Sequence, residues 1–375
     1  MKILVIGLSD NPGGVEAFIK NYFNQLGKNF NFDFMVFVKE CVDREWYLGH
    51  GAKIYYIKHA QFREPLKYKK ELKRFFENHK NEYDAIWVNV CDLANAGAIL
   101  KTAKCVGIHK RIIHSHNNKL MHSGKKAIFY MMMHTIVKYR LKNLATDFWS
   151  CSEEAGEFFY PEAIRMSAKY KVINNAIDTN AFRYDVLVRE NYRKELGLDN
   201  KIVIGHVGRF HMQKNHDFLI DIFDELIKKN ASYHLLLIGQ GELEEGVKQK
   251  VTVLGLENNV SFLGIRSDIT CLLQAMDLFL FPSRFEGLGI ALVEAQAAGL
   301  QCFTSADVVP QAVNLTGLVK YIDLKQSPLE WADIIDSTGQ NYEREECFKK
   351  IIEAGYDIIT ESEKLKQLMN RSSSK

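Results

Sequence analysis

No stretch of the chain approaches 18 consecutive apolar residues, so nothing in it reads as a membrane-spanning helix. The seven cysteines, at positions 41, 91, 105, 151, 271, 302 and 347, form no Cys-x-x-Cys pair and are odd in number. That pattern argues against a disulfide framework and for free thiols in a reducing compartment. Prolines are only six, there is no short repeat, and low complexity is confined to residues 371–375. The dinucleotide fingerprint Gly-x-Gly-x-x-Gly is missing from the first strand–helix turn. Basic and aromatic residues do not interleave as they do in RNA-binding segments, which speaks against a nucleic-acid partner. The opening run Met1–Gly7 is too short in apolar residues for a signal peptide and reads as a strand.

What is present is the composition of a soluble globular protein, 47% apolar and 25% charged. At 375 residues the chain exceeds one common core, so two domains are expected. Net charge is only +3, but residues 1–180 hold 27 Lys and Arg against 18 Asp and Glu, whereas residues 181–375 hold 22 against 28. The basic half is expected to meet an anionic surface or substrate. Strands are predicted at 3–6, 32–38, 53–57, 85–90, 111–114 and 147–150, with helices at 15–26, 65–79 and 125–144 among them. A second alternation begins near 200, with strands at 201–207, 233–238, 260–263 and 278–281 and helices at 216–229, 242–254 and 267–275. This βα alternation predicts α/β architecture: two doubly wound, Rossmann-like parallel-sheet domains, 1–180 and 181–375, facing each other across a cleft.

The second half is organised around residues 281–299, FPSRFEGLGIALVEAQAAG. A buried strand ends at Pro282 and Ser283, a loop spaced by Gly287 and Gly289 follows, and an Ala-, Leu- and Glu-rich helix begins at Ile290 and closes at Gly299. The N–H groups of a helix's first turn lack partners within the helix, and the dipole there favours an anion. Glu286 in the loop and Glu294 about a turn into the helix have seven residues between them, and so reach different parts of one elongated ligand. An anionic head on the N–H groups, with hydroxyls accepted by each Glu, describes a nucleotide diphosphate sugar. The segment Gly208-Arg209-Phe210-His211-Met212-Gln213-Lys214-Asn215 follows another strand. Its Arg can fork two diphosphate oxygens and its Lys supplies a point charge. Gly13-Gly14-Val15-Glu16 opens the first helix, where glycine lets a ligand approach the backbone. The pair His114-x-His116 raises the thought of a metal, but no Cys or carboxylate cluster accompanies it.

Pro-Ser-x-x-Glu-Gly-x-Gly followed by Glu-Ala-x-Ala-x-Gly resembles the donor-site signature of retaining glycosyltransferases of family 4, which have the GT-B fold, and Gly208–Asn215 and Gly13–Glu16 resemble two further motifs of that family. Asn175-Ala176-Ile177-Asp178 resembles its interdomain connection, with Ala176 in place of the usual Gly, and Gln311 stands where many relatives have Glu. The resemblance implies a metal-independent, retaining transfer from a nucleotide sugar, a UDP-sugar, with no cofactor beyond that donor. It implies that Arg209 and Lys214 hold the leaving diphosphate, that Glu286 holds sugar hydroxyls and His116 faces the sugar, and that Glu294 binds the ribose. Gly13, Gly14, Gly208, Ser283, Gly287, Leu288, Gly289, Ile290 and Arg266 complete the expected donor site, and the C-terminal helix, from within 331–368, is expected to cross back to the first domain. A polyprenyl-diphosphate-linked saccharide of a bacterial capsule or exopolysaccharide repeat unit is the expected acceptor. An epimerase of the same fold and a non-catalytic nucleotide-sugar-binding protein are the rival readings.

Residues 101–150 hold 10 basic residues and one acidic residue. In the predicted helix 125–144 an apolar run with three Met is flanked by Lys125, Lys126, Lys138, Arg140 and Lys142. It reads either as a core helix with a solvated face or as a surface helix that dips into an anionic membrane. The second reading makes the protein cytoplasmic and peripheral on the inner face of the cell membrane.

Overall fold

The computed structural model describes residues 1–11, 13–120, 124–339 and 344–371; Pro12 of the first glycine turn and the Lys125 side chain lie outside the described residues. The chain divides into two compact units, Met1–Ala176 together with the chain from Ile358 onward, and Ile177–Asp357.

The first unit is built on seven parallel strands: β1 (Lys2–Ile6), β2 (Asn31–Val36), β3 (Ile54–Tyr56), β4 (Ala85–Val90), β5 (Lys110–Ser115), β6 (Asp147–Ser150) and β7 (Tyr170–Val172). Their order is β3-β2-β1-β4-β5-β6-β7, so the winding direction reverses between β1 and β4. The continuous apolar run of β1 feeds both faces, as a strand's period of two requires. Leu4 and Ile6 pack into one core with Tyr68, Leu72, Leu100, Val137 and Leu141, and Ile3 and Val5 pack into the other with Phe18, Tyr22, Ile358 and Leu365. Helix Gly14–Leu26 buries Phe18, Ile19, Tyr22, Phe23 and Leu26, spaced by one helical turn. Truncating a core aromatic such as Phe18 to Ala would cost about 3–5 kcal/mol. The last helix, Ile358–Asn370, lies on this same face, and its C-terminal carbonyls are capped from β5. The buried Lys110 donates its Nζ to Leu368 O at 2.6 Å, Met369 O at 2.8 Å and Arg371 O at 3.0 Å. A cation at a helix C-terminus meets both orphan carbonyls and the negative end of the dipole.

The second unit holds six parallel strands: β8 (Ile202–Val207), β9 (Tyr233–Ile238), β10 (Val260–Gly264), β11 (Leu278–Phe281), β12 (Gln301–Ser305) and β13 (Val319–Ile322). The order β10-β9-β8-β11-β12-β13 reverses between β8 and β11. Both sheets are parallel and doubly wound, as the alternation of elements predicts. In such sheets ligands bind outside the carboxyl ends of the strands at the reversal point.

Several boundaries differ from expectation. β2 ends at Val36 rather than 38, because its pairing with β3 runs out at Val36↔Tyr56. After residue 325 the described residues form helices Pro328–Gly339, Phe348–Glu353 and Ile358–Asn370; the first buries Trp331 in the second unit, and the last, the C-terminal helix, belongs to the first. The division between the two units falls after Ala176.

Candidate active site

β8 and β11 are neighbours at the reversal point of the second sheet, and the loops leaving their C-terminal ends are tied to one another. The Arg284 N–H donates to Gln213 O at 2.8 Å, and Gln213 Nε2 donates to Phe285 O at 3.0 Å. Asn215 adopts φ 58°, a left-handed conformation that Asn tolerates better than most residues. From there its Nδ2 donates to Pro282 O at 3.1 Å and its Oδ1 accepts from Arg284 Nε at 2.9 Å. These bonds hold Lys214 and Glu286, 72 positions apart in sequence, as an ion pair at 2.7 Å with side-chain exposures of 16% and 6%. The Lys214 ammonium also lies 4.3 Å from the centre of the Phe281 ring, so the last residue of β11 supports it through its π face.

Space beside this pair is tight. A Cβ on Gly208 would stand 3.0 Å from His206 Nε2 and 3.1 Å from Lys214 Cγ. Gly289 sits at φ 82° and caps helix Ile290–Ala297, whose first-turn N–H groups are thereby turned toward the loop. The Ser283 hydroxyl is fully buried and has no hydrogen-bond partner among the described residues. Glu294 is half-buried, with no ion pair or side-chain hydrogen bond among the described contacts, and burial pushes its carboxyl up to about 7. Under the loop lie two histidines. His206 shares its Nδ1 with Leu280 O at 2.8 Å, and its ring is 4.7 Å from that of His216, which stacks on Phe210 at 4.1 Å. Desolvation holds His206 at about 3 and His216 at about 2, so both are neutral.

The first unit has its own reversal point, between β1 and β4. Gly7 ends β1 at φ 142°, and a Cβ there would lie 2.7 Å from Asn89 Cβ. Asn89 Nδ2 donates to Ile6 O at 3.2 Å, and its Oδ1 meets His116 Nε2 at 2.9 Å. That contact makes Nε2 the protonated nitrogen and leaves the buried Nδ1 with no partner among the described residues. Burial holds His116 at about 3, and the His114 ring lies 4.3 Å away. Gly13 and Gly14 are exposed at the start of the first helix, and Glu16 accepts from Ser9 Oγ at 2.6 Å and from the Ser9 N–H at 3.1 Å, which fixes the turn.

Residues 188–354 match the family described as glycosyl transferases group 1. The chain carries a glycosyltransferase group 1 domain. Along most of its length this glycosyltransferase is similar to EpsF of Bacillus subtilis (strain 168), a protein named as a glycosyltransferase, with 27% identity over 92% of this chain and 90% of the relative. It is 29% identical, over 53% of this chain and 54% of the relative, to the Escherichia coli UDP-Gal:alpha-D-GlcNAc-diphosphoundecaprenol alpha-1,3-galactosyltransferase. Among solved structures it is similar to Anabaena Alr3699/HepE in complex with UDP and glucose, at TM-score 0.78 and 21% identity, covering 98% of this chain and 99% of that one. The fold is GT-B.

Of the residues expected at the glycosyltransferase's donor site, Gly208, Lys214, Glu286 and Gly289 are brought together, with Ser283, Gly287, Leu288 and Ile290 on the same loop. Arg209 is not joined to this pair. Its guanidinium is exposed and pairs with Glu242 Oε2 at 3.0 Å, alongside His211. Arg266 forks Asp268 at 2.8 and 2.6 Å, and Tyr192 donates to the same carboxylate at 3.0 Å. His116, Gly13 and Gly14 belong to the first unit. Reading the sequence missed the tethering residues Gln213, Asn215 and Arg284, the pair His206 and His216, and Asn89. An Asn ending a loop just before a helix was the visible sign of a left-handed residue at 215. A His interrupting the apolar strand at 206 was the visible sign of a buried polar group.

Proposed function

We propose that this protein moves a sugar from a nucleotide diphosphate sugar, a UDP-sugar, to a saccharide carried on a polyprenyl diphosphate lipid, a bacterial capsule or exopolysaccharide repeat-unit intermediate. The supporting observation is the buried Lys214–Glu286 pair at the reversal point of the second sheet, beside the N-terminus of helix Ile290–Ala297. A cation, a helix start and an accepting carboxylate match the three parts of such a donor: diphosphate, its charge, and sugar hydroxyls. As the bond from the sugar to the leaving diphosphate breaks, negative charge grows on the phosphate oxygen. Lys214 and the helix N–H groups stabilise it, and Arg209 joins them by exchanging Glu242 for phosphate. No metal and no further cofactor takes part. Glu286 accepts from sugar hydroxyls, and Glu294, with no partner of its own, accepts from the ribose. His116 is neutral and held by Asn89 in a fixed tautomer, and its part at the sugar rests on the motif resemblance.

Retention of the anomeric configuration rests on the motif resemblance. The acceptor hydroxyl attacks on the leaving group's face and gives its proton to the departing phosphate, so no protein nucleophile is assigned. The lipid-linked acceptor is supported by the name of the Escherichia coli relative and by the basic first half of the chain. The test is a panel of nucleotide sugars, with nucleotide release measured with and without a membrane lipid extract. Release of nucleotide that requires the lipid supports transfer. A sugar altered while still on its nucleotide would instead establish an epimerase, and no turnover of any donor would refute the reading.

A further inference from the structure

Helix Gly124–Leu144 carries apolar residues on two opposite sides. One stripe faces inward: Val137 and Leu141 are part of the first unit's core, with His134 buried beside them. At 100° per residue, Ile128, Met132, Ile136 and Tyr139 fall on the far side, spaced 4, 4 and 3 positions apart. All four are exposed, at 74, 53, 41 and 67%, and Phe129 and Met131 flank them, also exposed. A helix packed on one face normally shows a polar face on the other, whereas here large apolar side chains dominate that side, with Thr135 and Asn143 the exposed uncharged polar residues among them. The apolar surface continues onto a neighbouring segment. The exposed Phe62 meets the rings of Phe129 and Tyr130 edge-on at 5.1 and 5.7 Å, and Leu66 is 81% exposed. The helix has five basic residues and no Asp or Glu. Lys138 is taken up by Glu157 O and Phe158 O at 3.0 and 2.6 Å, whereas Lys126, Arg140 and Lys142 are exposed, as is Arg63 beside Phe62.

We propose that this face docks on an anionic lipid surface. Ile128, Met132, Ile136 and Tyr139 enter the boundary between headgroups and acyl chains, and Lys126, Arg140 and Lys142 reach the lipid phosphates. The charge decides for a bilayer: a convex helix with exposed cations and no acid of its own matches a sheet of phosphates. Long basic side chains keep their charge at the headgroups while their stems lie along apolar surface. No helix among the described residues is long and apolar enough to cross a membrane, so the docking is peripheral. The inference does not rest on the catalytic reading, because it is tested with neither donor nor acceptor present.

The test is cosedimentation of the full chain with vesicles of phosphatidylglycerol or of phosphatidylcholine, at low and high salt. Binding to the anionic vesicles is expected, weakened by salt. Met132→Asp with Ile136→Asp, or Lys126→Glu with Arg140→Glu and Lys142→Glu, should each weaken it by about tenfold or more. These side chains are exposed, so an unchanged melting curve verifies that each variant is folded. Equal binding to both vesicles, binding to neither, or variants that bind like the parent would overturn the proposal. So would self-association of the parent that Met132→Asp with Ile136→Asp abolishes, because the face would then belong to a second copy of the chain.

Discussion

Mild acid should loosen the first unit before the second. Each unit buries a neighbouring pair of neutral histidines, His114 and His116 in the first and His206 and His216 in the second. Desolvation is the leading cause for all four: it holds His116 and His206 at about 3, His216 at about 2 and His114 well below its ordinary value. In the unfolded chain each titrates near 6.5, so below that pH the unfolded state binds the extra proton, and stability falls as pH falls until the folded pKa is reached. Between pH 7.5 and 5.5 each of the three held at about 2 or 3 costs on the order of 1 kcal/mol, and His114 adds a loss of the same sign. Glu294 acts in the opposite sense in the second unit. Its folded pKa of about 7 lies above the unfolded 4.5, so the folded state gains the proton first, recovering about 2 kcal/mol over the same interval. Glu16, raised by burial, opposes the loss in the first unit in the same sense, and His134 and His234, lowered by burial, add one acid-sensitive group to each. Native-state hydrogen exchange at pH 7.5 and 5.5, read on peptides from β1, β4 and β5 against β8 and β11, measures the two units separately. Protection should fall more in the first set, and Glu294→Gln should bring the second set's loss up toward the first's. Protection that does not change with pH, or that falls more in the second unit, would refute this assignment of buried neutral histidines.

Further outcomes follow from the proposed donor site. Lys214→Ala should lower turnover by about a hundredfold or more, and Arg209→Ala by a comparable factor, as loss of one transition-state donor does; steady-state kinetics giving near-normal rates in both would remove them from the site. Affinity for a UDP-sugar, whose phosphates stay ionised throughout, should weaken about tenfold between pH 8 and pH 6 because the ribose hydroxyls need the ionised Glu294. Calorimetric titration should show that slope lost in Glu294→Gln; a slope that survives the substitution belongs to another group. Turnover should persist in excess EDTA, and a loss restored by Mn²⁺ would establish a metal requirement.

The parts of the fold that could be read in advance were those with strong period or punctuation. β1 and β11 are apolar runs ended by Gly and Pro, β8 is an apolar strand interrupted by His206 and ended by Gly208, and helices Gly14–Leu26 and His216–Lys229 bury residues one turn apart. β7 and β13 are edge strands of three and four residues, too short to show a period, and Lys320 of β13 is exposed. The glycine positions and charged types at the candidate site were legible because each satisfies a local backbone or charge requirement. What brings Lys214 to Glu286 was not, since Gln213, Asn215 and Arg284 act through carbonyls and side chains about 70 positions away. Nor did the sequence separate the two accounts of helix Gly124–Leu144. Val137 and Leu141 are as apolar as Met132 and Ile136, and only packing shows which stripe is inside.

The ion pair between Lys214 and Glu286 bears on selectivity as well as on binding. With exposures of 16% and 6%, each group depends on the other for compensation. A ligand that captures the ammonium alone strands a carboxylate in a dry place, and one that engages the carboxylate alone strands an ammonium. Inorganic phosphate and free sugar are therefore both discouraged, each by the half it leaves unanswered. A molecule carrying an anion and a row of hydroxyls at the right separation replaces both partners at once. The pair thus works as a lock with two keys that must turn together.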